Sequence, residues 1–203
     1  MNRREVLRYA AMATGAAVSA PFASAFLMSC EGEVTPPEVV YEPQFFSSEE
    51  YQFITKVADT ILPKTDTPSA SEVGVPEMID KVVGKVYNAE SQAEANAGIA
   101  ALKAKMDADN GEGGFTGLDA AAALAYLQKM DAEYKNPDIN WMEESEENQI
   151  LRGTYFEMKS ATISYYFSSE EVATTQLAYL PVPGEYIPCG DVQELSGGKA
   201  WAI

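Results

Sequence analysis

The chain has 203 residues, 46% of them hydrophobic and 22% charged, proportions of a folded globular protein that exclude wholesale disorder. Its formal charge is −17 at pH 7 and it contains no histidine. That acidity excludes nucleic acid as a partner, since phosphate binding is driven by lysine and arginine displacing counterions, and it disfavours broad contact with anionic lipid headgroups.

The chain opens with Asn2-Arg3-Arg4-Glu5-Val6-Leu7-Arg8. Adjacent arginines, a hydrophobic pair and a further base match the twin-arginine export pattern, with Arg3, Arg4 and Leu7 as its signal residues. The stretch from Tyr9 to Met28 is alanine-rich and moderately apolar, and it stops at Leu27-Met28-Ser29-Cys30. That tetrapeptide has the form of a bacterial lipobox, which makes residues 1–29 the signal and Cys30 the lipidated first residue of the mature protein. An uncleaved anchor helix is the alternative reading, although Gly15 and Pro21 interrupt it. Removing residues 1–29 takes away Arg3, Arg4, Arg8 and Glu5, so 11 basic against 30 acidic side chains leave −19. Solubility is the plain consequence of that charge, and a basic protein partner is the other reading. Acyl chains on Cys30 would tether the chain by burying methylenes at about 0.8 kcal/mol each, and the membrane is expected to be touched only there. Residues 30–46 then form a spacer, since the three prolines and four glutamates between 31 and 44 oppose a helix and favour solvation.

The first helix runs from Ser47 to Leu62. A capping box of Ser47 with Glu50 opens it, Phe53, Ile54, Val57, Ala58 and Ile61 form its apolar stripe, and Pro63 ends it. A polar, proline-bounded turn over 63–70 leads to a second helix from Pro76 to Asn88, with Met78, Ile79, Val82, Val83 and Val86 at helical spacing. A third pattern, Ala93 to Met106, groups Ile99, Leu102 and Met106 and closes at the polar run from Asp107 to Gly114. An EF-hand loop counted from Asp107 would need Gly at its sixth position and Glu at its twelfth, where Glu112 and Leu118 stand. The run therefore reads as a flexible connector. Thr116 with Asp119 forms a second capping box, opening a helix from Leu118 to Met130. Residues 131–147, with seven acids around Trp141, read as a solvated acidic loop entering the next helix, where negative charge complements the helix dipole. That helix, Glu146 to Tyr166, turns Ile150, Leu151, Tyr155, Met158 and Thr162 to one side, and Ser168 with Glu171 caps a short one after it.

Six helical patterns without a run of alternating strands predict an all-α fold: a single multi-helix domain over 47–176. The tail over 177–203 differs in kind. Pro181, Pro183 and Pro188 exclude helix from Leu177 to Cys189, so this stretch is expected to lie extended, over its own domain or across a partner. Tyr179, Pro181, Pro183, Gly184, Tyr186 and Trp201 are its candidate interface residues, aromatics being common interface anchors.

Much chemistry is missing. Without histidine there is no usual general base, haem or zinc ligand, and no Ser-His or Cys-His nucleophile. No Cys-X-X-Cys-His, Walker loop or Gly-X-Gly-X-X-Gly after a strand occurs. Carboxylates abound, but no spacing singles out a pair for acid–base work. The chain is therefore expected to have no catalytic residue, bound cofactor or metal of its own. With Cys30 lipidated, Cys189 is the one remaining thiol, either buried and inert or paired between molecules.

The twin-arginine start, the segment Ile61-Leu-Pro-Lys-Thr-Asp-Thr-Pro-Ser-Ala70 and the tail from Leu177 to Cys189 together resemble the gluconate 2-dehydrogenase subunit 3 family. The resemblance implies a small non-catalytic subunit that escorts, stabilises and tethers a large glucose-methanol-choline-type flavoprotein. That partner would carry FAD, oxidise sugars, polyols or sugar acids in the periplasm, and pass electrons to a c-type cytochrome. It also implies that the folded partner crosses the membrane bound to this chain. The lipobox departs from many relatives, which have a plain cleavable signal. Cys189 matches a tail cysteine placed to cross-link to the large subunit, and no catalytic residue carries over. A stand-alone periplasmic lipoprotein that binds a ligand in a helical groove is the alternative.

Overall fold

The computed structural model describes residues 41–182, 184, 185 and 187–202; the export residues Arg3, Arg4 and Leu7, the lipidation residue Cys30, and Pro183 and Tyr186 of the tail lie outside them. Among the described residues there are seven α-helices, one short 3-10 helix and no strand, so the fold is all-α.

Helix α1 spans Ser48–Ile61 and opens with the expected capping box. The Ser47 N–H donates to Glu50 Oε2 at 2.9 Å and the Glu50 N–H to Ser47 Oγ at 3.3 Å, satisfying two otherwise orphaned donors. Phe53, Ile54, Val57 and Ala58 have no solvent exposure, as their spacing predicts. Helix α2, Val75–Lys85, has Gly74 as its N-cap at φ 75°, the left-handed region that a residue without Cβ enters freely, with Pro76 just inside. It ends before Asn88, because the Asn88 side chain caps the next helix by accepting from the Ser91 N–H at 2.9 Å. That helix, α3, runs Ala89–Asn110 and exceeds the apolar pattern at both ends. Alanine, glutamate and lysine extend it by propensity without adding periodicity.

Five further expectations need correction. Thr116 lies in a 3-10 turn, Phe115–Gly117, and Asp119 is the actual cap of α4 (Ala120–Tyr134), accepting from the Ala122 N–H at 2.8 Å. Helix α4 therefore takes Asp131 and Glu133 out of the supposed acidic loop. Helix α5 is Glu146–Ser168 and buries Leu151, Tyr155, Met158, Thr162 and Tyr166, while Ile150 is exposed, one position off the buried face. Ser169 rather than Ser168 caps α6, Glu170–Thr175. The tail is not extended throughout, since Val192–Ser196 forms a one-turn helix, α7, capped by Asp191; the prolines that forbid helix all precede it.

Helices α1 and α5 are the packing centres. Helix α1 contacts α2, α3, α4 and α5, and α5 contacts α1, α2, α3 and α6. One core joins them, with Tyr155 of α5 against Tyr134 of α4 at 5.6 Å between ring centroids. Helix α3 lies close against α5 at Gly98, where a Cβ would stand 2.4 Å from Thr154 Oγ1. We expect Gly98→Val to cost about 1–3 kcal/mol by overpacking, measured as a fall in urea midpoint at unchanged m-value, with Thr154→Ala restoring part of it.

The folded unit reaches back to Tyr41, into the region expected to be spacer. Asp80 of α2 is the reason. Its carboxylate has no solvent exposure and accepts from the Tyr41 hydroxyl at 2.7 Å and from the N–H groups of Gln44, Phe45 and Phe46 at 2.8, 3.1 and 2.9 Å. Phe46 is thereby buried, and Phe45 lies against α2 at Gly84, where a Cβ would come within 2.9 Å of it.

Candidate protein interface

Of the candidate interface residues, Tyr179, Pro181, Gly184 and Trp201 are described, and all four are exposed. Ala178 and Trp201 form a parallel bridge: the Ala178 N–H donates to the Ala200 carbonyl at 2.8 Å, and the Ala202 N–H donates to the Ala178 carbonyl at 3.0 Å. Lys199 Nζ adds a bond to the Thr175 carbonyl at the end of α6, at 3.2 Å, where a cation also suits the helix dipole. Residues between 178 and 201 thus form a lobe whose two ends are clasped together, a larger version of an Ω-loop.

The lobe packs on itself rather than into the core. Gly190 approaches Leu195 and Ile187 so closely that a Cβ there would meet Leu195 Cδ1 at 2.4 Å. No described residue beyond Val172 belongs to the buried hydrophobic core. Outward, the lobe presents Tyr179, Leu180, Val182, Ile187, Val192, Leu195 and Trp201, with Val182 77% exposed. Cys189 is exposed and, among the described residues, unpaired, at φ 54° in the left-handed region, so this thiol is not buried. Val192 and Leu195 sit on a one-turn helix too short for apolar periodicity to reveal.

The rest of the surface offers little chemistry. An open cleft of ≈ 380 Å³ lies between α1, α4 and α5, lined by Ile61, Leu124, Leu127 and Tyr155 with Asp131, Lys135 and Lys159 at its rim. Its charged groups are engaged with one another. Asp131 pairs with Lys159 and, at 2.5 Å, with Lys135, and accepts from the Tyr155 hydroxyl at 3.2 Å. Burial raises the Asp131 pKa, but the two lysines outweigh it and hold the carboxyl below its usual range. Burial and then Asp131 push the Tyr155 hydroxyl well above its usual range. A fixed carboxylate and a firmly protonated phenol make neither an acid nor a base near neutral pH. Among the described residues, no group of three or more His, Cys, Asp or Glu is gathered to hold a metal, and no helix is long and apolar enough to cross a membrane.

The family model for gluconate 2-dehydrogenase subunit 3 matches residues 48–184, more than half of the chain. The chain belongs to the gluconate 2-dehydrogenase subunit 3 family. The matched span covers α1 to α6 and runs into the clasped lobe as far as Gly184, so Pro181 and Pro183 fall within it and Pro188 does not. Family membership makes this chain an accessory subunit of a gluconate dehydrogenase complex. No curated protein and no solved structure matches the chain.

Proposed function

We propose that this subunit is the non-catalytic escort of a large flavin-dependent dehydrogenase acting on a sugar, polyol or sugar acid, and that the clasped C-terminal lobe is its docking surface. The observation that carries the reading is the lobe itself: seven large apolar side chains held outside the core by a folded main-chain clasp. An apolar surface of that kind is costly in water unless a partner covers it. In this reading the partner supplies FAD and all of the redox chemistry, and a c-type cytochrome takes its electrons. Arg3, Arg4 and Leu7 direct the folded pair through the twin-arginine route, and Cys30 carries the lipid that holds it at a periplasmic membrane face. Pro183, Gly184 and Tyr186 complete the docking surface, and Cys189 forms a disulfide to the large subunit once both are in an oxidising compartment. The exposure of the Cys189 thiol supports the last step.

Affinity purification of the full-length chain from native membranes tests this reading. We expect a second, larger polypeptide with a flavin absorption spectrum to accompany it, and a band joining the two that vanishes on reduction and in Cys189→Ser. A colourless, stable monomer would instead favour a stand-alone binding module. Arg3→Lys with Arg4→Lys should leave both polypeptides in the cytoplasm, and Cys30→Ser should release them from the membrane.

A further inference from the structure

We infer that Asn110 is a latent site of covalent modification: its side-chain amide is open to loss through attack by the Gly111 main-chain nitrogen, and the last turn of α3 holds that reaction off while the chain is folded. Asn110-Gly111 is the one Asn-Gly pair in the sequence. A glycine after asparagine leaves the following N–H without a flanking side chain, so its nitrogen reaches Asn110 Cγ freely wherever the backbone is unconstrained. Solvent base takes the Gly111 proton, the nitrogen bonds to Cγ, the Cγ–Nδ2 bond breaks, and ammonia leaves with a proton from water. Water then opens the resulting succinimide at either carbonyl, giving aspartate or an isoaspartyl link.

The fold opposes that ring closure at three points. Asn110 is the last residue of α3 and Gly111 its C-cap, and a helical torsion at Asn110 holds the Gly111 nitrogen out of the plane the imide ring needs. The Gly111 N–H donates to the Asp107 carbonyl at 3.1 Å, which engages the attacking nitrogen. Asn110 Nδ2, the leaving group, donates to the Met106 carbonyl at 2.6 Å, which fixes the side chain back along the helix. Burial plays no part, since Gly111 is exposed. What keeps the turn closed is the connector after it. Gly111, Gly113 and Gly114 lie at φ 68°, 88° and 59°, and the run returns to the core through the bond from the Phe115 N–H to Asp107 Oδ1. Release of that bond lets the end of α3 fray and the reaction begin. The product then opposes closure: a carboxylate at 110 puts negative charge at the negative end of the helix dipole, near Asp107 and Asp109, and has no donor for the Met106 carbonyl.

The test follows aspartate and isoaspartate at residue 110 by peptide mapping of the full-length chain, kept in mildly alkaline buffer with and without guanidinium chloride above the unfolding midpoint. We expect the folded chain to convert at least about tenfold more slowly than the unfolded one. Gly114→Ala, whose Cβ would displace the Asp107 carboxylate, is expected to convert several-fold faster than the wild type in the absence of denaturant. Phe115→Leu loosens the same turn more gently and gives the same comparison if Gly114→Ala does not fold. Equal rates in the folded and unfolded chain overturn the protection by the fold, and wild-type rates in both variants overturn the role of the Phe115 bond. Absence of conversion in the unfolded chain overturns the site itself.

Discussion

Asp80→Ala is expected to lower the unfolding free energy by about 3–5 kcal/mol. The carboxylate is fully buried and accepts four hydrogen bonds, three of them from consecutive main-chain N–H groups of Gln44, Phe45 and Phe46. Alanine leaves those donors buried without an acceptor, so the entering segment detaches and takes the buried Phe46 ring with it. Tyr41→Phe removes only the hydroxyl bond and is expected to cost about 1 kcal/mol. Chemical denaturation of the three proteins measures the series. The same site predicts a pH dependence. Burial raises the Asp80 pKa, but the Phe46 N–H, the Tyr41 hydroxyl and the N–H groups of Gln44 and Phe45 together bring it below its usual value. Its folded pKa lies below its unfolded one, so its contribution is complete above the unfolded value of about 3.9 and is lost as pH falls through the folded value. The melting-temperature gap between the wild type and Asp80→Asn should therefore be constant from pH 7 to 5 and narrow below about pH 4. A gap that widens on acidification would rule out this account.

Phe115→Ala is expected to cost about 3–5 kcal/mol, the range for emptying an aromatic site in a core. Its ring has no solvent exposure and packs edge-on against Phe53 of α1 at 6.1 Å between centroids, and tilted against Tyr126 of α4 at 5.8 Å. It is thus the wedge between α1 and α4, delivered by the connector after α3. Asp107 holds that connector in place: Oδ1 accepts from the Phe115 N–H at 2.9 Å, and Oδ2 pairs with Lys103 at 2.8 Å. Gly114 must be glycine for this geometry, since it sits at φ 59° and a Cβ would stand 2.3 Å from Asp107 Oδ1. Phe115→Leu fills much of the space and should cost less than half as much as alanine. Gly114→Ala should destabilise by loosening the same staple without touching the ring. Urea midpoints for the three variants separate the two contributions. Equal stability of Phe115→Ala and wild type would show that the ring does not wedge these helices.

The run from Asp107 to Gly114 reads in sequence as a flexible polar connector because its composition is that of one. Its order comes from contacts beyond its own residues, the Phe115 ring against Phe53 and Tyr126, and these are pairings at sequence distances that local patterns do not encode. The same holds at Asp80, an acid in the α2 pattern whose partners lie more than thirty residues earlier. By contrast, the capping box at Ser47 and the stripe Phe53, Ile54, Val57 and Ala58 fold as they read, because both are governed by interactions within one or two helical turns. Helix ends were less legible. At α4 the cap is Asp119 and not Thr116, since either residue can accept from an amide three positions on and the 3-10 turn at Phe115 settles which one does.

For the docking surface the division falls elsewhere. Pro181, Pro183 and Pro188 forbid helix from Leu177 to Cys189 whatever surrounds them, and the absence of histidine removes the usual acid–base and metal chemistry from every fold the chain could adopt. These are properties of residue type, and no packing alters them. Whether the tail lies on its own domain or away from it depends instead on a comparison of surfaces that only the folded chain makes. Val172 is the last described residue of the core, and two main-chain bonds at Ala178 with one from Lys199 join the ends of the lobe while its apolar side chains stay exposed.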